Sequence, residues 1–341
     1  MSIVVPARNE ERNIKDCVAS LLAQDYPNYQ VIVVDDGSTD QTTQILDATR
    51  RSHPNGRLLT VLRASGLPPG WAGKPHALHL GASSSTGAWL LFTDADTRHA
   101  PGALRYAIQR ARRDGADLLS LATTQDLPDF WGRVLMPMAF MGIAMMYPPR
   151  RVNDPGSSVA IANGQYILIR RLMYSKGGGY DSDRLRATIV DDRDLAREVK
   201  RAGGRLEVVD GRGLVRTRMY RNLREHWDGW TKNAYVGSRG GPPFYVLMLV
   251  GLPLSCILPF ALLFGGALAR RLDWLLAGAL PSAAALIYRR WLDRRLGVPA
   301  RYDWTHPLAA VIFTGILARS CWRVMTGRGV EWRGRTIRAP M

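Results

Sequence analysis

From residue 2 to about 121, short runs of branched apolar residues alternate with stretches of helical periodicity, and this alternation is the feature that most narrows the fold. Residues 2–5, 31–34, 58–62, 89–93 and 118–121 have the length and composition of buried strands. Residues 10–23, 41–51, 74–84 and 101–114 between them carry helical spacing. Strand–helix alternation at this interval predicts an α/β fold, a Rossmann-like, mostly parallel sheet with helices on both faces. Such sheets bind ligands at the carboxyl ends of their strands. The polar clusters fall at those ends: Arg8-Asn9-Glu10, Asp35-Asp36-Gly37-Ser38 and Asp94-Ala95-Asp96.

Downstream the character changes. Residues 130–149 contain sixteen consecutive uncharged residues with five Met, set between Arg133 and Arg150-Arg151. The run is short for a membrane span and reads as an amphipathic helix at a membrane interface or along a greasy groove, with a buried core helix as the alternative. Residues 159–162 and 166–169 look like strands, 191–202 like a helix ending at Gly203-Gly204, and 222–235 like a helix rich in Trp and basic residues. A boundary is expected near Gly240-Gly241-Pro242-Pro243, giving a catalytic domain over 1–240 and a membrane region over 241–341. Thirty residues separate Arg239 from Arg270 without a charge, enough for a transmembrane helix, and two weaker runs follow at 274–288 and 304–318. One to three spans are compatible with this pattern. The arginines at 323, 328, 333, 335 and 338 do not fix an orientation by the positive-inside rule.

Charge is read with that layout. The net charge is +17, of which residues 241–341 carry +9, with 13 Arg, no Lys and four acids. A strongly basic segment that is also the most apolar part of the chain fits Arg-rich membrane flanks, and no nucleic-acid motif accompanies it. No nucleic-acid partner is expected. Cys17, Cys256 and Cys321 are too far apart for a metal or disulfide framework. Met1 leads directly into an apolar strand with no signal peptide, so the amino-terminal part is expected to face the cytoplasm.

The chemistry-bearing residues follow from the strand ends. Asp94 and Asp96, two residues apart after a strand, can offer oxygens to a hard divalent cation such as Mg²⁺ or Mn²⁺, which keeps further sites for substrate phosphates. Asp35 and Asp36 can accept hydrogen bonds from a base or ribose, and Gly37 permits close backbone approach, while Ser38 or Asp40 can cap the next helix. Arg8 sits near the same rim. Gly73-Lys74-Pro75 opens a helix with a cation suited to a diphosphate. Asp191-Asp192 begins a helix, where its dipole favours the carboxylate. Arg193, Asp194, Arg197 and Lys200 read as a solvated face.

Taken in order, Pro6-Ala7-Arg8-Asn9-Glu10, Asp35 to Asp40, Gly73-Lys74 and Asp94-Ala95-Asp96 resemble the amino-terminal half of family 2 glycosyltransferases, inverting enzymes of the GT-A fold. The resemblance implies a UDP- or GDP-sugar donor, with Pro6, Ala7, Arg8, Glu10, Asp35, Asp36 and Lys74 around the nucleotide and Asp96, with Asp94, at a metal–diphosphate site. Asn163-Gly164-Gln165-Tyr166 is similar to the acceptor-side segment of lipid-directed members. Asp191-Asp192-Arg193-Asp194-Leu195 resembles their Glu-Asp-x-x-Leu motif, whose second acid is the catalytic base, here Asp192. Arg224-Glu225-His226-Trp227 stands where many members carry Gln-x-x-Arg-Trp, so His226, Trp227 and Trp230 are expected on the acceptor side and Lys232 or Arg224 as a diphosphate cation. The nearest subgroup is the ceramide-glucosyltransferase-like, hopanoid- and carotenoid-associated enzymes. The expected activity is sugar transfer to the hydroxyl of an isoprenoid, sterol-like or ceramide-like lipid at the membrane. Two other readings stay open: a polyprenyl-phosphate acceptor held by Arg150-Arg151 and Arg170-Arg171, and a non-catalytic scaffold for anionic lipid or nucleic acid.

Overall fold

The computed structural model describes residues 1–237, 241–332 and 335–337. Gly240 of the expected boundary, and Arg239, Arg333 and Arg338, lie outside them. Contacts divide the chain into two compact units: residues 1–126 with 147–219, and residues 127–146 with 220–341. The division expected near residue 240 is therefore not where the contacts part.

In the first unit, strands β1 (Ser2–Ala7), β2 (Gln30–Asp35), β3 (Leu59–Arg63) and β4 (Trp89–Phe92) alternate with helices α1 (Ile14–Leu22), α2 (Thr42–Ser52) and α3 (Gly73–Ser83). β5 (Thr97–His99), α4 (Ala103–Arg113), β6 (Leu118–Ala122) and β7 (Thr124–Gln125) follow. The seven-stranded sheet has the order β3-β2-β1-β4-β8-β6-β9, with β8 (Ile167–Arg170) and β9 (Leu206–Asp210). All pairs are parallel except those of β8 with β4 and β6. A smaller sheet, β5-β10-β7, uses β10 (Val215–Thr217). Strand alternation explains the two-sided core. Ile3 and Val5 meet α1 and α4 through Val18, Leu21, Leu104 and Ile108. Val4, Leu90 and Phe92 meet the opposite layer through Leu78 of α3 and Leu195 and Val199 of α8 (Asp191–Arg201), which follows the short helices α6 (Pro149–Val152) and α7 (Arg171–Lys176).

Two expectations fail in this unit. Residues 157–163 form no strand ladder. Their side of the chain is held instead by Lys200, whose Nζ donates to the carbonyls of Asp154 at 2.9 Å, Ser157 at 3.0 Å and Val159 at 2.8 Å, and lies 3.4 Å from that of Arg151. On α8, Arg193 and Asp194 are buried rather than solvated, paired at 3.0 Å, with Thr188 Oγ1 donating to Asp194, while Arg197 and Lys200 are partly exposed.

The second unit contains α5 (Phe130–Met146), α9 (Leu223–Gly237), α10 (Gly241–Cys256), α11 (Leu258–Leu268), α12 (Leu272–Leu296) and α13 (His306–Met325). The charge-free run is two helices that meet at Ile257, with Pro253 and Pro259 on either side. By length and composition, Tyr245–Leu268 and Ala300–Met325 are long and apolar enough to cross a membrane, with mean hydropathy 2.5 and 1.4. The middle run lies inside the 25-residue α12, which exposes Leu276, Leu280 and Ile287.

The Met-rich α5 belongs to this unit because Val134, Leu135 and Met138 pack with Cys256, Ala309 and Ala310. A second tie is polar. Pro137 inside α5 has no N–H, which deprives the carbonyl of Arg133 of its helical partner. Arg289 of α12 supplies it: Nη2 donates to that carbonyl at 2.7 Å and Nη1 to the carbonyl of Val134 at 3.1 Å. Asp293, one turn on, pairs with Arg289 Nε at 2.9 Å, with the two side chains 1% and 0% exposed. Removing the cation strands both a carboxylate and a carbonyl. Arg289→Met is expected to destabilise the protein by about 3–5 kcal/mol, read by thermal unfolding in detergent. Pro137→Ala restores the missing N–H, so the same substitution in that background should cost about 1 kcal/mol less.

Candidate active site

The carboxyl edge of the first unit's sheet holds a cluster of acids around one ammonium. Lys74 is the second residue of α3, near the positive end of the helix, a place that disfavours a cation. Carboxylates offset this. Lys74 Nζ lies 2.8 Å from Asp94 Oδ1 and 3.3 Å from Asp191 Oδ2. Burial alone would lower its proton affinity, but Asp191, Asp94 and Asp192 together raise it, so the ammonium stays charged.

The neighbouring acids of α8 are treated differently. Asp191 is buried, faces Lys74, and lies 3.5 Å from the hydroxyl of Tyr180. Asp192 accepts hydrogen bonds from the Gly164 N–H at 3.2 Å and the Arg193 N–H at 2.7 Å. Burial, and next the charge of Asp191, push Asp192 up to about 6, against the pull of Lys74 and the two N–H groups. Asp191 is also raised, by burial first. Asp192 is thus a carboxylate at neutral pH that binds a proton more readily than an ordinary aspartate.

Asp94 and Asp96 are not in an extended segment. Residues 94–97 form a turn, with the Thr97 N–H 3.4 Å and its hydroxyl 2.7 Å from the Asp94 carbonyl. The turn commits Asp94 to Lys74, while Asp96 lies half-buried two residues on. Among the described residues, no three His, Cys, Asp or Glu side chains gather to hold a metal ion. The oxygen donors of Asp96 and Asp94 suit Mg²⁺ or Mn²⁺, which need only one or two protein carboxylates when phosphates and water complete the shell. The residues present therefore fit such an ion.

The ends of β1 and β2 form the second part of the edge. Arg8 Nη1 donates to the carbonyl of Asp36, and the Asp36 N–H to that of Ala7 at 2.9 Å. Gly37 is left-handed (φ 72°), and a Cβ there would lie 3.5 Å from Arg8 Nη1, so this turn favours glycine. Asp35 and Asp36 are both buried. Asp35 accepts from the Ser38 N–H at 2.9 Å and from the Thr43 hydroxyl, bracing the turn into α2. Glu10 is buried, with its N–H on Thr42 Oγ1 at 2.8 Å and its carboxylate on Asn13 at 3.1 Å, in the loop before α1. Pro6 and Ala7 stay in β1, in register with Val34 and Asp35. A cavity of about 420 Å³ opens beside Asp35, Gly37, Ser38, Thr43, Gln44, Asp47 and Arg63. The sequence reading missed Thr43, Gln44, Asp47 and Arg63. Arg63 ends β3 in register with Asp35, so a cation at that strand end was the available signal.

The segment before β8 completes this edge. Asn163 Nδ2 donates to the Leu121 carbonyl at 2.9 Å, and Gln165 Oε1 accepts from Thr123 and Gln125. Their side chains thus brace the backbone that brings Gly164 to Asp192. A Cβ on Gly164 would stand 3.2 Å from Lys74 Nζ and 3.4 Å from Asp192 Oδ2. His226, Trp227, Trp230 and Lys232 belong to the second unit. There His226 is 1% exposed beside the Tyr220 ring at 4.9 Å, and burial lowers it to about 4. Trp230 lies 6.0 Å from Phe313, and a Cβ on Gly315 would meet the Trp227 ring at 2.7 Å, so both indoles pack on α13. Lys232 is half-buried on α9.

Residues 2–178 match the family described as Glycosyl transferase family 2. The chain belongs to that family. It is a glycosyltransferase with a GT-A-like fold. The 4,4'-diaponeurosporenoate glycosyltransferases of Staphylococcus aureus strains USA300 and MRSA252 are each 28% identical over 348 residues, spanning 98% of this chain and 87% of theirs. The solved mannosyltransferase PcManGT of Pyrobaculum calidifontis, in complex with GDP-Man and Mn²⁺, is 20% identical, with TM-score 0.56, 94% of this chain and 86% of that chain covered. That likeness supports the fold.

Gly164→Ala tests the acid–ammonium cluster. The flexible end of Lys74 can give way, so thermal stability should change little, while displacement of the ammonium and Asp192 should lower kcat by about tenfold or more. Turnover and unfolding measured on the same preparation check this.

Proposed function

We propose that this glycosyltransferase moves a sugar from a UDP- or GDP-sugar to the hydroxyl of a hydrophobic lipid, with its apolar helices seated in the membrane and the catalytic unit on the cytoplasmic side. The observation that carries the reading is Lys74 bridging Asp94 and Asp191, which puts the Asp94–Asp96 turn and the Asp191-Asp192 pair in one cluster. The named acceptor of the S. aureus relatives, diaponeurosporenoate, supports an isoprenoid-like lipid, and the GDP-Man and Mn²⁺ of the PcManGT complex support a nucleotide-sugar donor with a metal.

In this reading the cavity beside Asp35 and Arg63 takes the nucleoside, with Arg8 holding the Asp36 turn in shape. A divalent ion held by Asp96 and Asp94 would neutralise charge on the diphosphate. Lys74 supplies a fixed positive charge beside the same group and favours the carboxylate of Asp191 against the burial that raises its proton affinity. Asp192, aimed by the N–H groups of Gly164 and Arg193, takes the proton of the acceptor hydroxyl as its oxygen attacks the anomeric carbon with inversion. Its raised proton affinity suits a base that must stay ionised at pH 7 yet accept a proton during the reaction.

The donor is found by thermal shift with UDP, GDP and their sugars in the presence of Mn²⁺. A ligand at 100-fold over its dissociation constant adds about 2.7 kcal/mol to apparent stability. Absence of any shift or transfer across that panel would overturn the reading. Asp192→Asn should lower turnover by about 10²–10⁴-fold. An acceptor carboxylate, the group specified by the relatives' acceptor name, is already ionised and would tolerate this variant, so the size of the loss separates hydroxyl from carboxylate transfer.

The pH dependence has a definite sign. Turnover should fall as pH drops through about 6, where Asp192 takes up a proton. The same raised affinity means its charge opposes folding above that pH. Asp192→Asn should therefore unfold at a higher temperature than wild type at pH 7.5, with the advantage disappearing below the ordinary aspartate range.

A further inference from the structure

Beneath the turn that carries Asp94 and Asp96 lies a buried hydrogen-bond circuit that takes no part in the chemistry above. His99 of β5, Thr97 and Thr93 are all buried. His99 Nε2 is 2.9 Å from Thr97 Oγ1 and 3.2 Å from Thr93 Oγ1. Each hydroxyl owns one proton. Thr97 Oγ1 lies 2.7 Å from the Asp94 carbonyl and Thr93 Oγ1 2.7 Å from the Gln165 carbonyl. Carbonyl oxygens only accept, so these two contacts use both protons. The two hydroxyl oxygens, 3.0 Å apart, have none left for each other or for the ring. Nε2 must then carry the hydrogen and share it between them. Burial keeps the ring neutral, lowering it to about 3, so Nδ1 bears no proton.

The consequence is geometric. One N–H spans a hydroxyl fixed to the 94–97 turn and a hydroxyl fixed to the backbone of Gln165. The 163–165 segment is anchored on its other side by the Asn163 contact to Leu121 and the Gln165 contacts to Thr123 and Gln125. The turn is further held by the Cys17 thiol, 3.7 Å from the Asp94 carbonyl. His99 joins the Thr97 hydroxyl inside the turn to the Thr93 hydroxyl, which holds the Gln165 carbonyl just before the turn begins, and so adds a side-chain bridge to that backbone neighbour.

We propose that His99, as its Nε2–H tautomer, is a positioning residue that locks the 94–97 turn to the 163–165 segment and so fixes the spacing between the donor and acceptor sides. The assignment of those sides rests on the function proposed above; the lock itself does not.

The test uses the full chain in detergent. In ¹⁵N-histidine spectra at pH 7, the resonance lost in His99→Gln identifies His99 and is expected to show the Nε2–H tautomer. An Nδ1–H tautomer or an imidazolium would overturn the proposal. In hydrogen exchange, His99→Leu should speed the amides of 94–97 and 163–166 together by about tenfold, with β9 unchanged. His99→Gln, which keeps an N–H at similar reach, should stay within about twofold of wild type. Acceleration of one segment alone, or a glutamine variant no better than leucine, would also overturn it. Should His99→Leu fail to fold, Thr97→Val and Thr93→Val each cut one arm. Each should loosen both segments, and independent behaviour counts against the lock. With the donor found above, His99→Leu should lower kcat at nearly constant donor KM and His99→Gln should restore it. Absence of wild-type turnover defeats the functional reading, while the tautomer and exchange results still decide this one.

Discussion

The site is organised by an ammonium placed where a helix dipole opposes it. Lys74 stands at the start of α3 and is stabilised there by Asp94 from one strand end and Asp191 from a helix more than a hundred residues later. Each carboxylate alone would be costly to hold near the others. With the ammonium between them, the turn of Asp94 and the start of α8 can approach closely. This pairing also divides the labour of the two adjacent acids. Asp191 spends its charge on Lys74, while Asp192, turned toward Gly164, keeps a raised affinity for a proton. A lysine between two carboxylates can thus set which neighbouring acid holds a proton more readily.

The sheet and its carboxyl edge were legible because strand alternation and strand-end clusters are local patterns. The runs around Val4, Val33, Leu90 and Leu119 became β1, β2, β4 and β6 within a residue or two. Residues 159–162 read as a strand because Val159, Ile161 and their neighbours are apolar, but apolarity reports burial, and pairing depends on who takes the carbonyls. Lys200 takes that of Val159 from forty residues away, together with those of Asp154 and Ser157 just before it. That contact is invisible to any window of sequence, as is the pairing of Arg193 with Asp194 that lets both be buried. The missed cavity residues have a different cause. Gln44 and Asp47 lie inside α2, and a helical pattern does not say which turn faces a cavity.

The second unit shows the same limit at a proline. A short, Met-rich helix read as an amphipathic element at a membrane interface or along a greasy groove, with a core helix as the alternative, because nothing in its apolar residues named a partner. Pro137 was the hidden instruction. It leaves the Arg133 carbonyl without its helical donor, and a buried carbonyl so placed must find another. Arg289 answers it 156 residues later, with Asp293 neutralising the guanidinium. That polar tie, with the apolar packing of Val134, Leu135 and Met138, joins α5 to the carboxyl-terminal helices.

These contacts give the basic excess a physical account. A cation that pairs with a carboxylate adds nothing to net charge, whereas one that binds a carbonyl adds a full unit. Lys200 serves three or four carbonyls, Arg171 those of Gly87 and Ala82, Arg133 that of Leu127, and Arg323 that of Gly329. Each closes a loop or helix end whose carbonyl has no ladder to join. Their long side chains make them suited to the task, because a head group can reach a backbone oxygen while its stem covers apolar surface. Part of the +17 is therefore structural hydrogen-bonding capacity that requires no acidic partner. Positive net charge in such a chain is weak evidence for an anionic macromolecule; position says more than sum, and Arg8 and Arg63 stand at strand ends, where the sheet opens.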